Sequence, residues 1–111
     1  MDEFDETLLN AIDEILRYTI GDVGTQIIYN YLERNSFPKS EIPNRIGNFS
    51  EELRKLFGNG RMQILGSAPI LEEAIAERLC TKLVTKLEGK LPTTFPIFIR
   101  KLKEYYNSKE K

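Results

Sequence analysis

The residues of this chain that we consider for chemistry are three of its adjacent pairs of carboxylates and its one cysteine, in a sequence that has no histidine. The absence of histidine removes the commonest general base, the Ser-His and Cys-His nucleophile pairs and most transition-metal sites. General acid–base catalysis by carboxylates requires two carboxyl groups held in differing environments within a cleft. The pairs in this chain are expected at helix starts or on solvent-facing sides of helices: Asp13–Glu14, Glu51–Glu52 and Glu72–Glu73. We therefore predict a protein that is not an enzyme, with no catalytic, metal-binding or cofactor-binding residue.

The single cysteine, Cys80, lies in an apolar row between Ala76 and Val84. A redox-sensitive or nucleophilic thiol needs a basic neighbour that lowers its pKa, and the sequence offers none there, so we expect a small buried hydrophobic residue. The segment 58–67 contains three glycines, but it lacks the Gly-Lys-Ser/Thr ending and the preceding strand of a phosphate-binding loop. Phosphate binding is therefore not predicted for this segment.

The element that would position any functional residue is a helix in the stretch ILEEAIAERLCTKLVTKL, residues 70–87. Its apolar residues repeat at helical spacing in two neighbouring rows, with charged and polar residues on the other side. The rows are Ile75, Leu79, Leu83 and Leu87, and beside them Ala76, Cys80 and Val84. With Ser67 as cap, Pro69 in the first turn and Gly89 as the stop, we predict a central helix over about 68–88.

Two amphipathic helices are predicted before it, over residues 4–18 and from Val23 to about Glu33. Gly21 and Asp22 interrupt the helical pattern, and Asp22 can cap the second helix. The residues expected on the inner side of that helix are Ile27, Ile28, Tyr31 and Leu32. We expect Tyr18, Tyr29 and Tyr31 to be half-buried.

The middle of the chain predicts an ordered crossing followed by a short helix. Residues 35–48 contain two prolines and a glycine, and Phe37, Ile42 and Ile46 can anchor them to the core. Ser50 as N-cap and Gly58 behind the end predict a helix over 50–57. The segment 58–67 is compatible with a helical turn and with an extended link.

The last predicted helix covers residues 95–106, with Thr94 as cap and Pro96 near the first position. Two apolar ridges line it, Phe95/Ile99/Tyr106 and Phe98/Leu102/Tyr105, and basic residues lie beside them. This helix is either a core element or an interface that one ridge offers to another chain. The residues predicted to bind a partner are Phe98, Leu102, Tyr105, Arg100, Lys101 and Lys103. Residues 107–111 are expected to fray.

Composition and charge limit the classes of function. The 111 residues are 41% hydrophobic and 30% charged, which is the mixture of one folded domain, 1–111, and no apolar run is long enough to span a membrane. An acidic N-terminus unlike a signal peptide and a lone cysteine predict a cytoplasmic protein. The net charge is −1, so the chain as a whole does not attract nucleic acid. Residues 82–111 are nevertheless basic, and this end could contact a polyanion or an acidic partner.

Within the region 4–88, the sequence from about Leu8 to Leu87 resembles a family of small archaeal helical domains named Nitrosopumilus output domains. The runs that carry the resemblance are AIDEIL, GDVGTQIIYNYLE, EIP, FSEELRKLFGNG and LEEAIAERLCTKL. The resemblance implies an all-helical fold and a role as a signalling or regulatory output module, without a defined catalytic site to carry over. The segment RMQILGSAP and the helix 95–106 depart from the pattern.

Together these patterns predict an all-α domain of four major helices and one short helix, packed in a small orthogonal or bundle-like arrangement. The function that we predict is a non-enzymatic interaction or output module that binds a protein partner, which could be its own copy as a homodimer. The alternative is a nucleic-acid-associated regulator that uses the basic C-terminal helix.

Overall fold

A computed structural model describes residues 2–58, 68–85, 91 and 93–109. Four α-helices are present in these ranges: α1 (Glu3–Arg34), α2 (Ile46–Phe57), α3 (Ala68–Lys82) and α4 (Phe95–Lys109). Two short 3₁₀ turns, Lys39–Glu41 and Pro43–Arg45, join α1 to α2. The described ranges contain no β-strand. The predicted all-α class is therefore confirmed.

Helix α1 is folded back on itself at Gly21, which has a backbone φ of 80° and ψ of 174°. The hydroxyl of Tyr29 donates a hydrogen bond to Asp13 at 3.0 Å, although 16 residues would span about 24 Å in a straight helix. Residues 3–20 and 22–34 therefore form two arms of a helical hairpin, which confirms the predicted interruption. Asp22 was expected to cap the second arm. Its carboxylate instead accepts a hydrogen bond from Arg17 at 2.9 Å and ties the two arms together.

The crossing between α1 and α2 is anchored by Phe37, Ile42 and Ile46, which are all buried as predicted. The guanidinium of Arg45 covers the outer side of the Phe37 ring at 4.3 Å from its centroid. The crossing is thus an ordered part of the core and leads directly into α2.

Helix α2 begins at Ile46, four residues before the predicted start. The prediction that Ser50 caps this helix was wrong: Ser50 lies inside α2, is buried, and hydrogen bonds to Glu72 of α3. The predicted stop is confirmed, since Gly58 has a positive φ of 78° and its N–H donates to the carbonyl of Arg54 at 2.8 Å.

Helix α3 is the central element and packs against each of the other three helices. Both rows of its apolar face are buried from Ala68 to Cys80. The helix ends earlier than predicted. The N–H of Thr85 donates to the carbonyl of Cys80, and Val84 takes a left-handed conformation with φ of 55°, a helix-ending arrangement that usually uses glycine. Val84 is therefore 93% exposed, and its predicted inward position was wrong.

Some predictions concern parts of the chain outside the described residues. They are the conformation of 59–67, including the cap at Ser67, the inward position of Leu87 and the stop at Gly89. The prediction of a frayed tail is wrong for residues 107–109, which continue α4. In the described ranges, no helix combines the length and the apolar character that a membrane span requires.

Candidate functional site

Helix α4 is the element that carries the predicted partner-binding residues, and one of its faces is fixed in the core. Phe95 and Ile99 are both buried, each 2% exposed. Tyr106 packs its ring on that of Phe4 at the start of α1, with 5.9 Å between ring centroids. This ridge therefore holds α4 against the domain, as one of the two ridges was predicted to do.

The second ridge of α4 is divided between the core and the surface. Phe98 and Leu102 are half-buried and pack against the core cluster. Tyr105, one turn further along, is 61% exposed. The ridge thus presents only its C-terminal end to solvent, and binding of a partner by Phe98 and Leu102 stays a prediction.

Lys103 is occupied by contacts within the chain. Its ammonium lies 3.0 Å from Asp5 in the first turn of α1 and 3.5 Å from Asp2, the N-cap residue of that helix. Partial burial alone would lower the pKa of Lys103, but the hydrogen bond to Asp5 and the two carboxylate charges outweigh it and raise this pKa. Lys103 therefore joins the C-terminal helix to the N-terminus of the domain.

The remaining predicted residues, Arg100 and Lys101, lie on the exposed side of α4. Among the described residues, neither of them has an acidic partner within ion-pair distance. Ile97, which the sequence did not single out, is also exposed, at 41%. We call the exposed side of this helix the outward face of α4; it consists of Ile97, Arg100, Lys101, Glu104 and Tyr105.

A groove of about 440 Å³ runs between α2 and the N-terminal half of α4. Its lining consists of four residues of α2, three residues of α4 and Thr94 just before α4; they are Gly47, Ser50, Glu51, Arg54, Pro96, Ile97, Arg100 and Thr94. The groove therefore adjoins the outward face of α4, and Ile97 and Arg100 belong to both surfaces.

Hydrogen bonds between α2 and α3 hold two residues of the α2 wall, Ser50 and Arg54, in place. Arg54 donates two parallel hydrogen bonds to Glu72, Nη1 to Oε2 at 2.9 Å and Nη2 to Oε1 at 3.0 Å. The hydroxyl of Ser50 also donates to Glu72, and Arg54 donates to that hydroxyl oxygen. The hydrogen bond with Glu72 raises the pKa of Arg54. The pair Glu72–Glu73 was expected at a helix start or on a solvent-facing side, and this was wrong for Glu72, which lies beyond the first turn of α3, is 3% exposed and joins two helices.

The carboxylates of Asp13 and Glu14 also have structural partners. Glu14 pairs with Arg78 at 3.0 Å and with Lys82 at 2.6 Å, which connects α1 to α3. Hydrogen bonds from these two cations lower the pKa of Glu14. For Asp13, partial burial raises the pKa, but hydrogen bonds from Arg17 and Tyr29 more than compensate and lower it. Each of these carboxylates is held ionised by cations, which is a poor state for a general acid.

The thiol of Cys80 is buried, at 2% exposure, as the sequence predicted. Desolvation raises the pKa of this thiol, so the nucleophilic thiolate is disfavoured at neutral pH.

A second apolar surface, which sequence reasoning missed, lies near the bend of α1. Tyr18 is 89%, Val23 75% and Ile27 58% exposed, so the predictions of a half-buried Tyr18 and an inward Ile27 were wrong. Tyr29 is buried at 9% exposure and Tyr31 is half-buried, with its hydroxyl 3.3 Å from Glu52. The sharp reversal at Gly21 explains the difference, since it turns the second arm so that positions 28, 29 and 32 meet the core.

In the part of the chain that the structure describes, no three Cys, Asp or Glu side chains are grouped as metal ligands. Comparison with protein-family models, with curated proteins and with solved structures finds no match to this chain. The resemblance to the archaeal output domains therefore stays a prediction. The function is therefore inferred from the geometry of α4, the groove and the bend of α1.

Proposed function

We propose that this chain is a non-enzymatic interaction module of a signalling or regulatory system, and that it binds a protein partner through the outward face of α4. The observation that carries the proposal is the composition of this face. It combines an exposed aliphatic residue, an exposed tyrosine and an arginine that has no ion-pair partner among the described residues: Ile97, Tyr105 and Arg100. Tyrosine and arginine are among the residues that dominate the binding energy of protein interfaces.

The way in which α4 is held also supports a recognition role. The buried ridge of Phe95 and Ile99 and the ion pairs of Lys103 fix the opposite side of the helix. A helix held in this way presents its exposed side chains in a fixed arrangement, so little backbone ordering opposes association. The partner would therefore meet a preorganised surface.

Two features distinguish this proposal from the nucleic-acid-associated regulator. Lys103 is engaged by Asp2 and Asp5, which leaves Arg100 and Lys101 as the cations of the outward face. Glu104 on the same face would repel phosphates. Proteins that bind nucleic acid without sequence preference rely on many phosphate contacts, and two cations beside one acid offer few.

The proposal is tested by affinity enrichment from extracts of the source cells, with the full chain and an Ile97→Asp/Tyr105→Asp double variant as baits. Both positions are exposed, so the variant is expected to keep the wild-type circular dichroism spectrum. The matched control is an Asn10→Asp/Asn30→Asp variant, which adds the same two negative charges at exposed positions of α1. A protein retained by the wild type and the control but lost by the double variant is then purified, and its binding is measured by calorimetry.

We expect one such partner, with a Kd at least tenfold weaker for the double variant, because each of the two side chains would lose an apolar contact. Light scattering covers the case in which the partner is a second copy of the chain. A monomeric chain whose enriched proteins are the same for the wild type and the double variant would contradict the proposal. Enrichment that disappears after nuclease treatment would favour the nucleic-acid alternative.

A further inference from the structure

Arg100 lies beside the N-terminal turn of α2. Its Nη2 atom lies 3.4 Å from the point that a β-carbon at Gly47 would occupy, which puts the guanidinium beside the first turn of α2. The first turn of a helix is the positive end of its dipole, and acidic residues usually offset it. Neither α2 nor α4 has an acidic residue in its first turn. In the described ranges, Arg100 also lacks an ion-pair partner.

The surroundings of Arg100 leave room for an anionic group. The absence of a side chain at Gly47 keeps the α2 wall open next to the guanidinium. Arg54 lies on the same wall, with 37% of its side chain exposed even while it pairs with Glu72. Ile97 and Pro96 add apolar surface to the opposite wall. Within the described ranges, the groove thus offers the guanidinium of Arg100, which has no ion-pair partner there, the partly exposed guanidinium of Arg54, and apolar contacts between the two helices.

We propose that this groove binds an acidic segment of a protein partner, with one side-chain carboxylate of that segment on the guanidinium of Arg100. This inference rests on the proposed function and adds the chemistry of the partner. A planar carboxylate matches the two-pronged geometry of a guanidinium, and an extended peptide fits a groove between two helices. The neighbouring apolar wall receives a nonpolar side chain of the same segment.

Glu51 provides the internal check on this assignment. It lines the α2 wall and is exposed, so its carboxylate repels an acidic ligand and weakens binding. Neutralising Glu51 should therefore raise the affinity for the acidic ligand, whereas neutralising Arg100 should lower it. Lys101 lies next to Arg100 in sequence but does not line the groove. Replacing Lys101 therefore changes the net charge of the protein without changing the lining of the groove.

The test is a titration of the ¹⁵N-labelled full chain with hexaglutamate, followed by the shifts of the backbone amide signals. We expect shifts at Gly47, Arg54, Thr94 and Ile97. Arg100→Gln is expected to weaken binding roughly fivefold, the upper range for an exposed ion pair. Lys101→Gln changes the net charge by the same amount and is expected to weaken binding by less than about twofold, because Lys101 does not line the groove and an exposed charge that makes no direct contact contributes little. Glu51→Gln is expected to tighten binding.

Several results would overturn the inference. They are the absence of amide shifts, shifts away from the groove, and equal weakening by the two charge changes at Arg100 and Lys101. Hexaglutamine is the uncharged control, and a single-stranded oligodeoxynucleotide of equal charge is the second probe; tighter binding of the oligonucleotide at the same amides would identify a nucleic-acid site instead. A partner that depends on Ile97 and Tyr105 but ignores Arg100→Gln would leave the proposed function standing and reject only the acidic ligand.

Discussion

Replacing Gly21 by alanine tests the reversal of α1 directly. The φ of 80° with ψ of 174° lies in a region that L-residues almost never occupy. A β-carbon at this position would meet no atom within 4 Å, so the substitution introduces backbone strain without a steric clash. Strain of this kind costs about 1–3 kcal/mol. The reduced freedom of the unfolded chain offsets about 0.4–1 kcal/mol of it, and the midpoints of the two ranges leave a net loss of about 1.3 kcal/mol.

The assay is chemical unfolding followed by far-ultraviolet circular dichroism. The matched control is Gly47→Ala, because Gly47 is helical and its new β-carbon would lie 3.4 Å from the flexible end of Arg100. Alanine has the higher helix propensity, so this control is expected to be neutral or to stabilise the domain by up to about 1 kcal/mol. If Gly21→Ala unfolded at the same denaturant concentration as the wild type, the proposed reversal at a left-handed glycine would be refuted.

Three further predictions follow from the packing. Leu79→Ala in α3 should lower the free energy of unfolding by about 2–5 kcal/mol because Leu79 is fully buried. Its control, Glu77→Ala on the exposed side of the same helix, should change the free energy of unfolding by less than about 0.5 kcal/mol. Similar unfolding midpoints for the two variants would contradict the orientation of α3. The lowered pKa of Glu14 means that its ion pairs stabilise the fold above the ordinary value of 4.5 and that this contribution is lost as the pH falls through the folded-state pKa. Glu14→Gln should therefore reduce stability at pH 7, and the difference from the wild type should shrink steadily as the pH is lowered below 4.5, as measured by urea unfolding at a series of pH values. Cys80 should react slowly with iodoacetamide in the native state and quickly in denaturant, and rapid native labelling would show that the thiol is accessible.

The sequence predicted those parts of the fold that depend on local patterns. Gly21 interrupted the first helical period, and the apolar spacing of Phe37, Ile42 and Ile46 indicated an anchored crossing; both features are in the structure. The central position of α3 followed from its wide apolar face. These signals lie within a few residues of the feature that they predict.

The errors came from contacts between distant residues and from one unusual helix end. Ser50 has the residue type of an N-cap, but its hydrogen bond to buried Glu72, 22 residues away, places it inside α2. A β-branched residue such as Val84 rarely adopts a left-handed conformation, so the apolar spacing of this stretch did not indicate that α3 ends there. The surface near the bend was missed because exposure of Ile27 depends on how the hairpin turns, which periodicity does not determine.

The candidate site was predicted in part for the same reason. The apolar and basic pattern of residues 95–106 located α4, and the exposure of Tyr105, Arg100 and Lys101 agrees with a surface role. The pairing of Lys103 with Asp5 spans 98 residues and could not be read from local spacing. The groove likewise requires α2 and α4 to be adjacent, which only the tertiary structure establishes.

The most direct measurement for the proposed function is site-specific photo-cross-linking from the outward face of α4. p-Benzoylphenylalanine in place of Tyr105 keeps an aromatic side chain at a position that is 61% exposed, and the same residue in place of exposed Glu6 on α1 is the control. We predict a light-dependent covalent product from position 105 that contains one defined protein, or a second copy of the chain, and no such product from position 6. The absence of a product from position 105, or the same set of products from both positions, would contradict the conclusion that α4 presents the binding surface.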